Sequence, residues 1–470
     1  MAFGPFGFIW RRAGAFFMRR SFDDDLYKAV FRTYISYLIK EGFTQEFFIE
    51  GGRSRTGKTL APRLGMLSWD VEAFLTSGRR DLFFVPIAIT YERLVEEGSM
   101  VGELEGQEKR PESMLALVRA RKFLQRRFGS VFVNFGEPIS LGDALGERRE
   151  RFAADDSPTV RSERRVFVES IGHRIVERIN WAVVPSATAV GACALLGERR
   201  RGFFREDLAR HMQQIVDLLR LQDVRLTPAL DHDEGEYTES IASLLRMDLI
   251  RQVSDPRGEI LHFDESQRRA LDLYRNSILH YLAAPSFLAR RLLVGGTFAD
   301  LHADISLWLD LFYQEFFTNR GEMLATHFPA FVDHFERTRQ VERTDGVLRA
   351  TAEAVPYFRF LAEQTRAVVE SYYAVFRVEL PEGAPLSAKE LRKAAAEQFS
   401  RSAMLGEVEL PEAANPVTLG NAIDLLVRRN ILEKVPAREG EKRDAAYVRG
   451  EAFAELQALR ERLAAALAAG

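Results

Sequence analysis

The chain has 470 residues, 46% hydrophobic and 28% charged, with a net charge of -3; this excludes a disordered chain and a polycation built for nucleic acid. A single cysteine, Cys193, excludes an internal disulfide and a cysteine-built zinc site, and it fits a reducing compartment. The length allows two or three domains at roughly 100–200 residues each.

Met1–Trp10 is apolar, but Arg11 and Arg12 follow where small residues would mark a cleavage site, so no signal peptide is read. Ala15–Met18 is a short apolar run before Arg19, Arg20 and Ser21. Residues 25–40 have helical spacing, with Leu26, Ala29, Val30, Thr33, Tyr34, Tyr37 and Leu38 on one stripe and Gly42 as the terminator. Glu46–Ile49 is a predicted strand and Met66–Leu75 a predicted helix. Leu82–Ile89 is a continuous apolar run, as in a strand buried on both faces. Val131–Phe135 is a further strand, closed by Gly136-Glu137-Pro138. Helix, strand, helix, strand over residues 1 to about 140 predicts a layered α/β domain.

Residues 143–158 read as a charged, exposed connection, and Ser162–Asn180 as an amphipathic helix. Trp181–Leu196 is apolar, but it is shorter than the roughly 20 residues that span a bilayer and contains Pro185; it reads as a core helix after a loop. Beyond it the pattern turns helical. Two weak repeats each give helix, helix, strand, turn, strand, the outline of a winged helix. The first joins a helix at Arg205–Leu219 to Ile241–Val253 and Asp255–Phe263. The second joins Ser387–Ser400, opened by a capping box of Ser387 and Glu390, to Ile423–Val435 and Pro436–Val448. Between Arg200 and Glu265 stand 9 arginines, no lysines and 14 acids, a balance of -5. That is the wrong sign for a DNA-facing surface, so both modules are read as packing or interaction domains. Residues 270–376 between them read as helical, aromatic-rich core.

The densest polar cluster is FFIEGGRSRTGK, Phe47–Lys58. A strand runs into the glycine pair Gly51-Gly52, which lets backbone approach an anion. Arg53, Arg55 and Lys58 add cations, and Ser54 and Thr56 add hydroxyls; arginine grips phosphate with two parallel hydrogen bonds. Arg19 and Arg20 form a second basic turn. Two such turns beyond strand ends converge on one pocket in α/β domains, which points to a phosphate-bearing substrate. Gly52-x-x-x-x-Gly57-Lys58-Thr59 also satisfies the nucleotide-binding P-loop pattern. Context opposes that reading: Pro62 and Gly65 lie where the following helix should open, and Leu82–Ile89 ends in Thr90-Tyr91 with no aspartate for Mg²⁺.

GAFFMRRSF (Gly14–Phe22), FFIEGGRSRTGK and VPIAITYER (Val85–Arg93) resemble three of the four ordered blocks of glycerol-3-phosphate acyltransferases. VNFGEPI (Val133–Ile139) and LYRNSILHYL (Leu273–Leu282) resemble flanking and C-terminal pieces of the bacterial membrane-bound enzymes and their dihydroxyacetone-phosphate relatives. The resemblance implies that Arg19 or Arg20, with Arg53, Ser54 and Arg55, holds the substrate phosphate, Lys58 adding a cation. Glu50, Gly51 and Gly52 shape the pocket, and Pro86, Tyr91 and Glu92 belong to the acyl-donor side. It implies transfer of an acyl group from acyl-CoA or acyl carrier protein to the sn-1 hydroxyl of glycerol 3-phosphate, without metal or organic cofactor. It further implies a peripheral place on the membrane surface, at the cytoplasmic face of the inner membrane, and no nucleic-acid partner.

The family's first block, His-x-x-x-x-Asp, supplies the general base and its orienting acid. None of the eight histidines here has aspartate five positions on. Three readings follow: the block lies upstream in the intact enzyme, the chain is a phosphate-metabolite-binding pseudoenzyme, or another subunit supplies the base. The first predicts exposed apolar surface and poor solubility for the chain alone. The expected organisation is an acyltransferase-type α/β domain, truncated, over 1–195; a winged-helix-like module over 196–268; a helical domain over 269–380; and a second such module with a C-terminal helix over 381–470.

Overall fold

The computed structural model describes residues 5–16, 18–19, 22–52, 54–94, 96–104, 129–231, 235–380, 382, 385–435 and 446–469. To residue 196 the elements are α1 (Pro5–Arg12), α2 (Asp25–Glu41), α3 (Leu64–Thr76), β1 (Phe83–Phe84), β2 (Ile87–Tyr91), α4 (Glu97–Leu104), β3 (Val131–Phe135), β4 (Ile139–Ser140), α5 (Leu141–Leu145), α6 (Arg148–Ala154), α7 (Pro158–Trp181) and α8 (Ala187–Leu196). The chain divides into two compact units, one of residues 1–51, 62–85 and 138–173, the other of residues 52–61, 86–137 and 174–470.

In the first unit α2 starts because the Asp24 side chain accepts from the Tyr27 N–H, and it stops at left-handed Gly42, φ 80°. Phe31, Ile35 and Ile39 are its buried residues and pack with Ala73 of α3. This is the opposite stripe from the one named from the sequence. Both stripes of this helix are apolar, and Leu26, Val30, Tyr34 and Tyr37 face outward. The predicted strand at Glu46–Ile49 does not form: no ladder partner reaches it, and only Ile49 is buried. Nor does a strand precede Arg19 among the described residues. The connection at 143–158 contains α5 and α6, because Leu141, Leu145 and Phe152 supply apolar anchors to the charged stretch.

The apolar run Leu82–Ile89 is cut in two. Pro86 has no N–H to give a ladder, so β1 pairs with β4 in the first unit and β2 pairs with β3 in the second, both antiparallel. Burial alternates along β2, so one face is covered, not two. Among the described residues the sheets of this region are two-stranded and antiparallel, a mixed helix–sheet arrangement in place of the layered α/β sheet expected.

The second unit holds the main core. All ten residues of α8 are buried, and Ser186 caps it by accepting from the Ala189 N–H. Among the described residues no helix is long and apolar enough to cross a membrane. Three times the chain runs strand, helices, strand, strand, with the first strand paired to the third. The first such unit is β5 (Gly202–Phe204), α9 (Arg205–Arg220), α10 (Thr238–Arg246), β6 (Arg251–Asp255) and β7 (Gly258–His262), ordered β5-β7-β6. Helices α11 (Glu265–Asn276) and α12 (Leu279–Val294) follow. The next is β8 (Gly296–Thr297), α13 (Phe298–Leu311), α14 (Phe328–Arg337), β9 (Val341–Thr344) and β10 (Val347–Ala350), ordered β8-β10-β9. After α15 (Val355–Glu363) and α16 (Arg366–Phe376) comes β11 (Leu386–Ser387), α17 (Ala388–Met404), α18 (Pro416–Arg428), β12 (Leu432–Val435) and β13 (Ala446–Arg449), ordered β11-β13-β12, and then a last helix, α19 (Glu455–Ala469).

The middle repeat lies inside the stretch read as helical core. Its hairpin is closed by Asp345-Gly346, both at positive φ (51° and 80°), a turn that needs such residues.

Candidate functional site

Ile49 anchors the start of the glycine-rich loop in the first unit, where its carbonyl accepts from the Arg63 N–H at 2.7 Å. The Gly51 N–H closes a turn on the Phe48 carbonyl at 3.0 Å. Gly51 sits at φ +62°, and a Cβ there would meet Arg63 Cγ at 2.7 Å, so only glycine fits. Glu50 is half-buried beside it.

The rest of the loop belongs to the second unit. Gly52 is exposed, with open space where a Cβ would stand. Ser54 Oγ and Thr56 Oγ1 lie 3.3 Å apart, and Thr56 Oγ1 accepts from the Lys58 N–H at 3.2 Å. Thr56 is buried, and its carbonyl accepts from Asn276 Nδ2 at 2.9 Å. Gly57, φ +81°, lies so close to α11 that a Cβ would stand 2.0 Å from the Leu273 carbonyl oxygen. Thr59 Oγ1 bonds Asn180 Oδ1. Arg55 is half-buried, and Arg20 and Arg53 lie outside the described residues.

Lys58 turns inward. Its Nζ is 2.6 Å from Glu315 Oε2 and 3.4 Å from Thr418 Oγ1. Glu315, in the short helix Tyr313–Phe316, is buried, and it also accepts from Asn421 at 2.9 Å and from the Tyr372 hydroxyl at 3.3 Å. This ion pair disposes of the P-loop reading on geometry: the P-loop lysine must reach phosphate, and the next helix, α3, begins only at Leu64.

Pro86 is buried, and its carbonyl accepts from the Gly136 N–H at 2.8 Å. Tyr91 closes β2 opposite Val131 and is exposed. Glu92 pins the return of the hairpin, its Oε2 accepting from the Ser130 N–H at 2.8 Å and its carbonyl from Thr188 Oγ1 at 2.9 Å. Just beyond, the Tyr274 hydroxyl accepts from the Leu94 N–H at 3.0 Å and donates to Glu97 Oε2 at 2.7 Å. Burial raises the Glu97 carboxyl pKa, with the Tyr274 bond and Arg93 opposing it.

In the first unit Arg19 is exposed and committed locally. Its guanidinium lies over the Tyr27 ring at 4.5 Å and bonds Asp24 Oδ2 at 3.1 Å, while its N–H donates to the Tyr27 hydroxyl. Burial drives the pKa of His280 down to about 3, so this ring is neutral near pH 7. Among the described residues no cluster of His, Cys, Asp or Glu could hold a metal ion.

The structure thus brings Ser54, Thr56 and Lys58 together on one loop against α11, and Tyr91 and Glu92 together at the end of β2. Asn276, Glu315 and Asn180 support the loop, and Tyr274 bonds the segment beyond Glu92; all four were missed from the sequence. The signal for two of them was present, since Tyr274 and Asn276 fall in LYRNSILHYL, a motif without an assigned role.

The family description "Glycerol-3-phosphate acyltransferase C-terminal region" matches residues 100–435, and "Acyltransferase" matches residues 1–90. The chain is 32% identical over 440 residues to a glycerol-3-phosphate acyltransferase of Pseudomonas entomophila, covering 91% of this chain and 52% of the relative. It is 38% identical over 286 residues to the Pseudomonas putida glycerol-3-phosphate acyltransferase, covering 60% and 34%. The chain therefore spans about half the length, or less, of the curated relatives it matches.

Proposed function

The chain belongs to the glycerol-3-phosphate acyltransferase family, and from that premise we propose that it binds glycerol 3-phosphate for acylation at the sn-1 hydroxyl in phospholipid synthesis. The observation that supports this most is the Gly51–Lys58 loop. It carries three glycines, two hydroxyls and the half-buried Arg55, braced from behind by Asn276 and by the Lys58–Glu315 pair. With Lys58 paired to Glu315, the phosphate falls to Arg53, Ser54, Arg55 and the loop N–H groups. Charge-assisted hydrogen bonds of this kind are the strong ones.

In the reaction the C1 hydroxyl oxygen bonds to the thioester carbonyl carbon, the carbon–sulfur bond breaks, and the hydroxyl proton leaves through a base to the departing thiol. The donor is acyl-CoA or acyl carrier protein, met on the side of Pro86, Tyr91 and Glu92. No cofactor takes part. The chain works as a peripheral protein at the cytoplasmic face of the inner membrane. The three strand–helices–strand–strand units are winged-helix-like packing modules with no nucleic-acid partner; the acidic balance of the first supports this.

The base is assigned to none of the eight histidines, because none carries aspartate at the fifth following position. The second reading is a phosphate-metabolite-binding protein without catalysis; dihydroxyacetone phosphate is the alternative acceptor. Calorimetric titration of glycerol 3-phosphate tests the proposal. Saturable binding that Arg55→Ala abolishes supports it, and equal binding by both proteins overturns the phosphate assignment. Turnover of palmitoyl-CoA by the same chain would overturn the non-catalytic reading.

A further inference from the structure

The last turn of α11 backs directly onto the phosphate loop. Asn276 spends both N–H bonds of its amide there: one goes to the Thr56 carbonyl at 2.9 Å and one to Asp272 Oδ2 at 3.0 Å. Asp272 also accepts from Arg275, and Arg275 lies 3.8 Å from Glu412, itself bound twice by Arg268 at 2.8 and 2.9 Å. Every member of this chain is buried. Both N–H groups of the Asn276 amide are therefore fixed by acceptors, Thr56 on the loop and Asp272 on its own helix, while Arg275, whose Nε and Nη1 lie buried without hydrogen-bond partners, is tied to the network by its bond to Asp272. One turn earlier, the Leu273 carbonyl lies where only the Cβ-less Gly57 can approach it.

Thr56 is the hinge of this arrangement. Its carbonyl is held from behind by Asn276, while its hydroxyl faces Ser54 and the Lys58 N–H. Moving the carbonyl moves Ser54 and Arg55 with it. A displacement of about 1 Å is enough to spoil a bound geometry.

We propose that Asn276 is a positioning residue for the substrate phosphate: it sets the height of the Ser54–Arg55 segment through the Thr56 carbonyl, so that the LYRNSILHYL motif of the C-terminal region completes the glycerol 3-phosphate site. This rests on the phosphate reading of the loop, and the test separates the two.

Tyr274 supplies the control. It lies on the same helix and is buried, and its hydroxyl also spans to another segment, but that segment is Leu94–Glu97 and not the phosphate loop. Glycerol 3-phosphate is titrated into the wild-type chain, Arg55→Ala, Asn276→Ala and Tyr274→Phe, each first shown to melt cooperatively. Loss of one supporting hydrogen bond predicts about tenfold weaker binding for Asn276→Ala, with faster amide exchange confined to residues 52–61. Tyr274→Phe is expected to bind as the wild type does, whatever it loses in stability. If Asn276→Ala does not fold, Asn276→Gln, which keeps the amide but displaces it by one methylene, takes its place with the same expectation.

Wild-type affinity in the folded Asn276 variant, with binding lost in Arg55→Ala, overturns the inference and leaves the phosphate reading standing. Equal weakening in Tyr274→Phe also overturns it, because the effect would then follow stability and not position. No binding by the wild-type chain, or full binding by Arg55→Ala, overturns both.

Discussion

Lys58 and Glu315, 257 positions apart in sequence, form a buried ion pair with Nζ 2.6 Å from Oε2. Glu315 is sealed from water, and Thr418, Asn421 and Tyr372 bond the remainder of its carboxylate. A buried pair of this sort is weak evidence for net stability, but removing one partner strands a charge at a cost of about 3–5 kcal/mol. Lys58→Met is expected to lose about that much in urea unfolding. The double variant Lys58→Met/Glu315→Gln is expected to recover most of it, since the amide still serves Asn421 and Tyr372. A single variant within about 1 kcal/mol of wild type would show that the pair is dispensable.

Two of the loop's three glycines, Gly57 and Gly52, are expected to respond in opposite ways. Gly57 combines φ +81° with a Leu273 oxygen 2.0 Å from any added Cβ. Gly57→Ala therefore meets both backbone strain and a clash with main chain, and it is expected to cost about 2 kcal/mol or more. Gly52 has open space and no left-handed φ, so Gly52→Ala is expected to stay within about 0.5 kcal/mol of wild type. Thermal melts of both variants decide it, and similar melting temperatures would contradict the loop geometry.

Much of this is legible in the sequence, and the failures have physical causes. Helix α2 with its Gly42 stop, the buried helix α8, strand β3 and the Ser387–Glu390 capping box all formed where period and cap chemistry place them. The side of α2 that faces the core was not legible, because both of its stripes are apolar and the packing of Met66, Trp69 and Ala73 of α3 decides between them. Pro86 was read as one residue of an apolar run, yet it divides two sheets. Glu46–Ile49 has strand composition but no partner, and a strand exists only as one member of a pair.

The loop itself was legible as a glycine-rich cationic turn; its support was not. Lys58 looks like a phosphate ligand by composition, and the acid that claims it comes from a helix hundreds of residues away. The middle strand–helices–strand–strand unit left a readable signal in Asp345-Gly346 between VERT and VLRA, an alternation with a hairpin turn at its centre, which the aromatic helices on either side obscured.

Asp70 is expected to give the fold a measurable pH dependence. It is buried on α3, its Oδ1 has no hydrogen-bond partner, and burial pushes its pKa up to about 7. Between its ordinary value and about 7 the folded state keeps a proton that the unfolded state releases. The stability it confers is full below about pH 4 and is lost as pH rises through 7. Asp70→Asn removes this dependence. The variant is expected to melt higher than wild type at pH 8, by an amount on the order of 2–4 kcal/mol, and to differ little at pH 4. Equal gains at both pH values would show that the carboxyl ionises freely.

The outward face of the β2–β3 hairpin is expected to govern how the chain behaves in solution. Ile89 and Tyr91 on one strand and Val131, Val133 and Phe135 on the other point the same way, with exposures from 44% to 65%. A contiguous apolar face on a strand pair with no further partner among the described residues is a template for self-association. Val133→Thr and Phe135→Thr keep strand preference while removing apolar area, and neither side chain is in the core. The double variant is expected to elute with a larger monomer fraction in size exclusion with light scattering, and to melt within about 2 °C of wild type. A clean monomer in the wild type would show that this face does not drive association. A large drop in melting temperature in the variant would show that these side chains are packed in solution, against a partner strand or another copy.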